Sequence, residues 1–154
     1  MSDTNQEIRA LIAPMSGSNI LLPGTMIAEV VNYSEPEPYA GGPDWLLGEL
    51  RWNGWQIPLV NFALLVGSSD DASVPARSRV LVVKTLSIAA SVLHIGLVIE
   101  GLPKLKSITP DTLVEVEGEH PAGVFSQIAI DDLEAVIPDL DELALTIEKA
   151  VYTR

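Results

Sequence analysis

The stretch from Trp45 to Gly67, WLLGELRWNGWQIPLVNFALLVG, limits the possible folds of this chain more than any other. At its centre stands Asn53-Gly54, a dipeptide whose residues tolerate the positive φ angles of a type I′ turn. A two-residue hairpin there sets Trp52 opposite Trp55, Leu50 opposite Ile57 and Arg51 opposite Gln56. One face is then aromatic and aliphatic and the other polar, the pattern of a half-buried antiparallel pair.

The rest of the chain suits such a hairpin. Its 154 residues are 47% hydrophobic and 19% charged, so it forms a core and has room for one domain or two small subdomains. Aromatics make up 5%. Leu, Ile and Val therefore carry the apolar mass, and much of it is β-branched, which predicts a mainly β fold. The net charge of −12 is spread along the chain, with nine acidic and two basic residues over 1–76 and twelve and seven over 77–154. With no basic run to face phosphate, nucleic acid and anionic membrane surfaces are disfavoured as partners. There are no cysteines, which excludes disulfides and thiolate chemistry. A polar start, MSDTNQEIR, and apolar runs far shorter than a span predict a cytoplasmic protein with no membrane insertion.

Taken in order, Ile8–Met15 and Ile20–Pro23 read as two strands about a turn at Ser16–Asn19, and Thr25–Tyr33 as a third. In that third strand, alternation sets Ile27 and Glu29 on one face and Met26, Ala28 and Val30 on the other. Residues 34–43, with three prolines and two glycines, form an extended loop. Residues 68–78, SSDDASVPARS, read as a linker. They divide the chain into a first subdomain over 8–67 and a second over 79–143. In the second, Arg79–Leu86 and Ser91–Glu100 form a strand pair about Ser87–Ala90. Lys104–Val116 carries a further strand, and Gly118–Gly123 is a turn. Val124–Ile130 and Leu133–Ile137 make a last hairpin across Asp131-Asp132. Leu143, Ile147 and Val151 share one face of a C-terminal helix over 141–152. Two small β-barrels side by side are one way for such a chain to bury its aliphatic residues.

Chemistry is hard to find. The two histidines, His94 in an apolar strand and His120 in a turn, have no companion at ligand spacing. Asp70-Asp71 and Asp131-Asp132 sit in turn-like sequence, and Glu115, Glu117 and Glu119 alternate along a solvated face. No phosphate loop, nucleophile elbow or dinucleotide fingerprint is present. The residues imply no catalytic group, metal or cofactor. Trp45, Trp52 and Trp55 are another matter, since they cluster in a chain with eight aromatics. Trp52 and Trp55 flank an exposed turn, which makes them candidate interface anchors.

The wording of the hairpin resembles the signature of the CheW-like family, adaptor domains that join a chemoreceptor to its histidine kinase. Gly48-Glu49-Leu50-Arg51-Trp52-Asn53-Gly54 followed by Ile57-Pro58-Leu59-Val60-Asn61-Phe62 is similar to the family's glycine-led strand, "N-L-R-G" and "V-x-P-I-V-D-L-R". Pro23–Val30 resembles "I-x-x-V-x-E-I", and Ile95–Leu102 resembles "V-G-I-V-V-D-G-V". Two positions depart from the pattern: Asn53 stands for an arginine and Asn61 for an aspartate. The resemblance implies two SH3-like five-stranded β-barrel subdomains around a shared apolar core, with "W-L-L-G" as a helical turn and a short C-terminal helix. It implies a non-catalytic adaptor whose partners are the regulatory domain of a CheA-type histidine kinase and a chemoreceptor tip. Kinase contacts carry over onto Ile27, Glu29, Val30 and Gly48. Receptor contacts carry over onto Asn53, Val80, Gly96 and Leu102. From the residues alone, a small β-barrel enzyme or ligand-binding domain, or a subunit that self-assembles through strand edges, stays open.

Overall fold

The computed structural model describes residues 7–71, 73–85, 92–109, 111–116, 124–130 and 133–152. The turns expected at Ser87–Ala90, Gly118–Gly123 and Asp131-Asp132, together with Glu117, Glu119 and His120, lie outside the described residues. Before residue 68 come β1 (Ile8–Met15), β2 (Ser18–Pro23), a 3-10 turn (Gly24–Met26), β3 (Ile27–Asn32), β4 (Leu46–Trp52), β5 (Trp55–Val60) and α1 (Phe62–Val66). After it come β6 (Arg79–Lys84), β7 (His94–Ile99), β8 (Lys104–Ile108), β9 (Leu113–Glu115), β10 (Val124–Ile130), β11 (Leu133–Pro138) and α2 (Leu140–Tyr152). The chain is mainly β with a short C-terminal helix, as its β-branched composition predicts.

Among the described residues the strands form a six-stranded sheet, β8-β1-β2-β11-β10-β9, and a five-stranded sheet, β3-β6-β7-β5-β4. One sheet therefore carries a strand more than expected. The sheets also do not divide at residues 68–78, because each takes strands from both sides of that segment. The β1–β2 hairpin pairs with β8, Leu11 opposite Leu105, and with β11 in parallel, Ile20 opposite Val136. Such long-range partners leave no mark in local periodicity, which reports only which face of a strand is apolar.

Apolar side chains gather in three places. Ala10, Ile12, Leu21, Ile108, Ile128 and Ile130 fill the interior of the six-stranded sheet. Leu50, Ile57, Leu59, Val80, Val82 and Val98 fill that of the five-stranded sheet. Between them lies a shared core containing Ile20, Leu22, Phe62, Leu81, Val83, Ile95, Leu97 and Ile99, closed by Leu143 and Ile147 of α2. This explains why β6 (RVLVVK) and β7 (HIGLVI) are almost continuously apolar: one face points into the sheet's interior and the other into the shared core.

The hairpin has the predicted register, Trp52 opposite Trp55, Arg51 opposite Gln56 and Leu50 opposite Ile57. Asn53 and Gly54 take φ of 52° and 83°, as a type I′ turn requires. Its flanks depart from expectation. Trp45–Gly48, expected as a helical turn, instead runs into β4 from Leu46. Phe62–Val66 is helical, with the Asn61 side chain accepting the Leu64 N–H at 3.1 Å and Gly67 left-handed at φ 83°. Strand β3 breaks its alternation: a bulge between Ile27 and Glu29 shifts the phase. Ile27 and Val30 accordingly both pack against the shared core, correcting their assignment to opposite faces.

Candidate interaction surface

Strands β3 and β4 are the two edges of the five-stranded sheet. Two links close a seam along β4, one from the loop that follows β3 and one from β3 itself. At one end the backbones of Glu37 and Glu49 exchange hydrogen bonds of 2.9 and 2.8 Å. At the other, the Trp52 indole Nε1–H donates to Glu29 Oε1 at 2.9 Å. The Trp52 ring lies against His94 of β7, with centroids 5.0 Å apart and planes tilted by 49°. Trp52 thus packs against the sheet's apolar interior with Glu29 and His94 held to its indole. Tyr33, half-buried against the same interior, has its phenol pushed above the usual tyrosine range, first by burial and then by the nearby Glu35 carboxylate.

The kinase-predicted residues fall on this seam in different roles. Glu29 is exposed, and Ile27 and Val30 are half-exposed on β3. Gly48 is buried, at φ 148°, and a Cβ there would run into the carbonyl oxygen of Glu37. It offers no side chain to a partner; its part is to admit the Glu37 backbone to the seam.

The receptor-predicted residues do not share one surface. Asn53 is exposed at the hairpin tip. Val80 is fully buried and Gly96 is buried beneath it, so neither can touch a partner directly. A Cβ on Gly96 would lie 2.8 Å from Val80 Cγ1 and 3.2 Å from Leu59 Cδ1, so the glycine makes room for those two side chains. Leu102 is 63% exposed, but it follows the far end of β7, whereas His94 at the start of β7 lies beside the hairpin.

The two candidate anchors separate. Trp52 is half-buried, its N–H engaged by Glu29. Trp55 is 58% exposed and Leu93 is 52% exposed. Both border a cleft of about 90 Å³ whose lining includes Tyr39, Glu49 and, from α2, Ile147 and Val151. Leu93 was not legible as a neighbour of this cleft, because the parallel pairing of β5 with β7 joins strands far apart in sequence.

Among the described residues the carboxylates do not assemble a reactive centre. Asp71 accepts the Ser73 N–H at 2.9 Å, and that bond holds its carboxyl below the usual aspartate range. Glu115 accepts the Ser126 hydroxyl at 3.0 Å. Among the described residues no three His, Asp or Glu side chains gather as metal ligands would. No described helix is long and apolar enough to cross a membrane.

Comparison with known proteins agrees with this architecture. Among solved structures, the chain is similar to the crystal structure of the scaffolding protein TtCheW from Thermoanaerobacter tengcongensis. The TM-score is 0.72 at 16% identity, over 92% of this chain and 90% of that one, a likeness of fold. No curated protein sequence matches. The family model for the CheW-like domain matches residues 9–148. The chain belongs to the CheW-like domain family, whose members are non-catalytic scaffolds.

Proposed function

We propose that this protein works in the cytoplasm as a chemotaxis adaptor, coupling a methyl-accepting chemoreceptor tip to the regulatory domain of a CheA-type histidine kinase. The observation that carries the reading is the family match across residues 9–148. The regulatory domain docks on β3, with Ile27 and Val30 as apolar contacts and Glu29 as a polar one, while Gly48 acts through the seam. The receptor tip meets the hairpin end, where Asn53 lies beside exposed Trp55. An exposed indole bordering a preformed cleft is the kind of residue that dominates association energies. Val80 and Gly96 act indirectly, by packing the sheet's interior, and Leu102 lies outside the contact.

Asn53 gives the adaptor a divergent receptor side. Asparagine lacks the cation and forked donors of the family's arginine, yet it suits the left-handed φ of 52° better than arginine would. A receptor with altered tip chemistry, such as one in a pilus-based twitching-motility system, fits this exchange.

Calorimetric titration with the regulatory domain of a CheA-type kinase from the same organism tests the reading. Saturable binding is expected, weakened about tenfold or more by Ile27→Asp, which puts a charge into an apolar contact. Absence of binding to every such kinase of the organism would remove the function. On the receptor side, Asn53→Arg is expected to change the affinity for the receptor tip; an unchanged affinity would move the receptor site away from the hairpin.

A further inference from the structure

We propose that Trp52 is a positioning residue that clasps β3 to the hairpin and holds that edge strand in its docking geometry. The inference rests on the reading of β3 as the kinase-side strand.

Among the described residues strand β3 is laddered on one side only, to β6, with Glu29 opposite Val82 and Val31 opposite Val80. A bulge between Ile27 and Glu29 interrupts even that ladder where the docking residues lie. An edge strand with a broken ladder opens readily unless its free side is tied down. The tie at Glu37 lies beyond the end of β3, and among the described residues the hydrogen bond across the free side of its bulged half is the Trp52–Glu29 bond of 2.9 Å, added to the packing of Ile27 and Val30 on the shared core. The donor is itself well held. Trp52 precedes a two-residue turn whose register is set by its pairing with Trp55, and its ring rests on His94. Because Trp52 adjoins Asn53, the same bond joins the receptor-side tip to the kinase-side strand.

The experiment compares Trp52→Phe, which keeps an aromatic ring and removes the donor, with Glu29→Gln, which keeps an acceptor oxygen, and Glu29→Ala, which does not. Amide hydrogen exchange of β3 is read first. Trp52→Phe and Glu29→Ala should each speed exchange of the β3 amides about fivefold or more with little change in melting temperature, and Glu29→Gln should stay near the parent. Equal exchange in all variants would overturn the inference. Affinity for the kinase regulatory domain is read second, beside the indole N–H resonance of Trp52, identified by its absence in Trp52→Phe. Trp52→Phe should weaken binding several-fold, and the resonance should shift when the parent protein binds the regulatory domain. Binding by the parent that Trp52→Phe leaves unaltered would also overturn the inference. If the parent protein binds no kinase while β3 still loosens in Trp52→Phe, the clasp stands and the kinase reading of β3 falls.

Discussion

At the scale of single residues, Gly48 shows how a family signature can be structural in origin. Its φ of 148° is open to glycine and strained for other residues, and the Glu37 carbonyl occupies the place of a side chain. Gly48→Ala is therefore expected to destabilise the fold by roughly 2–4 kcal/mol, combining backbone strain with a clash against main chain. Urea denaturation would measure it, and a loss below about 1 kcal/mol would show that the seam can widen. The glycine itself was legible as part of a motif. Its use was not, because Glu37 reaches it from a loop whose path no periodicity describes. Asn53 is the reverse case: the Asn-Gly pair announces its turn, since the φ requirement is local to the two residues.

At the scale of elements, the strands were largely readable and two details were not. Helix α1 had its caps in view, with Asn61 before an apolar run and Gly67 after it. Five helical residues are too few for a hydrophobic period to outweigh strand propensity. The cap also explains why Asn61 can stand where the family has aspartate, since both accept an N–H at a helix start. Asn61→Asp should change thermal stability little, whereas Asn61→Ala should cost about 1 kcal/mol or more, because the freed Leu64 N–H is partly buried. Melting curves of the two variants would settle it. The bulge in β3 escaped for another reason. It inserts one residue between two ladder partners, and alternation alone carries no sign of the partner's register.

At the scale of the molecule, the shared core makes two sheets into one body. Ile20 and Leu22 of the six-stranded sheet, Leu81 and Leu97 of the five-stranded sheet, and Leu143 and Ile147 of α2 belong to one cluster. Leu143 is fully buried there. Leu143→Ala should cost about 2–5 kcal/mol. Because the cavity borders both sheets, unfolding should stay a single transition, with indole fluorescence and far-ultraviolet circular dichroism moving together. Separate transitions would show two independently stable halves.

By itself the sequence determined the mainly β class, the hairpin with its turn type and register, the C-terminal helix and the family resemblance at Gly48–Phe62. Each is encoded locally, in residue alternation, φ tolerance or a contiguous motif. Which strands share a sheet, the burial of Val80 and Gly96 beside the exposure of Trp55, and the bond from Trp52 to Glu29 across a seam emerge with the folded chain. Those outcomes depend on partners far apart in the chain, and a strand's own sequence states which of its faces is apolar without stating what will cover it.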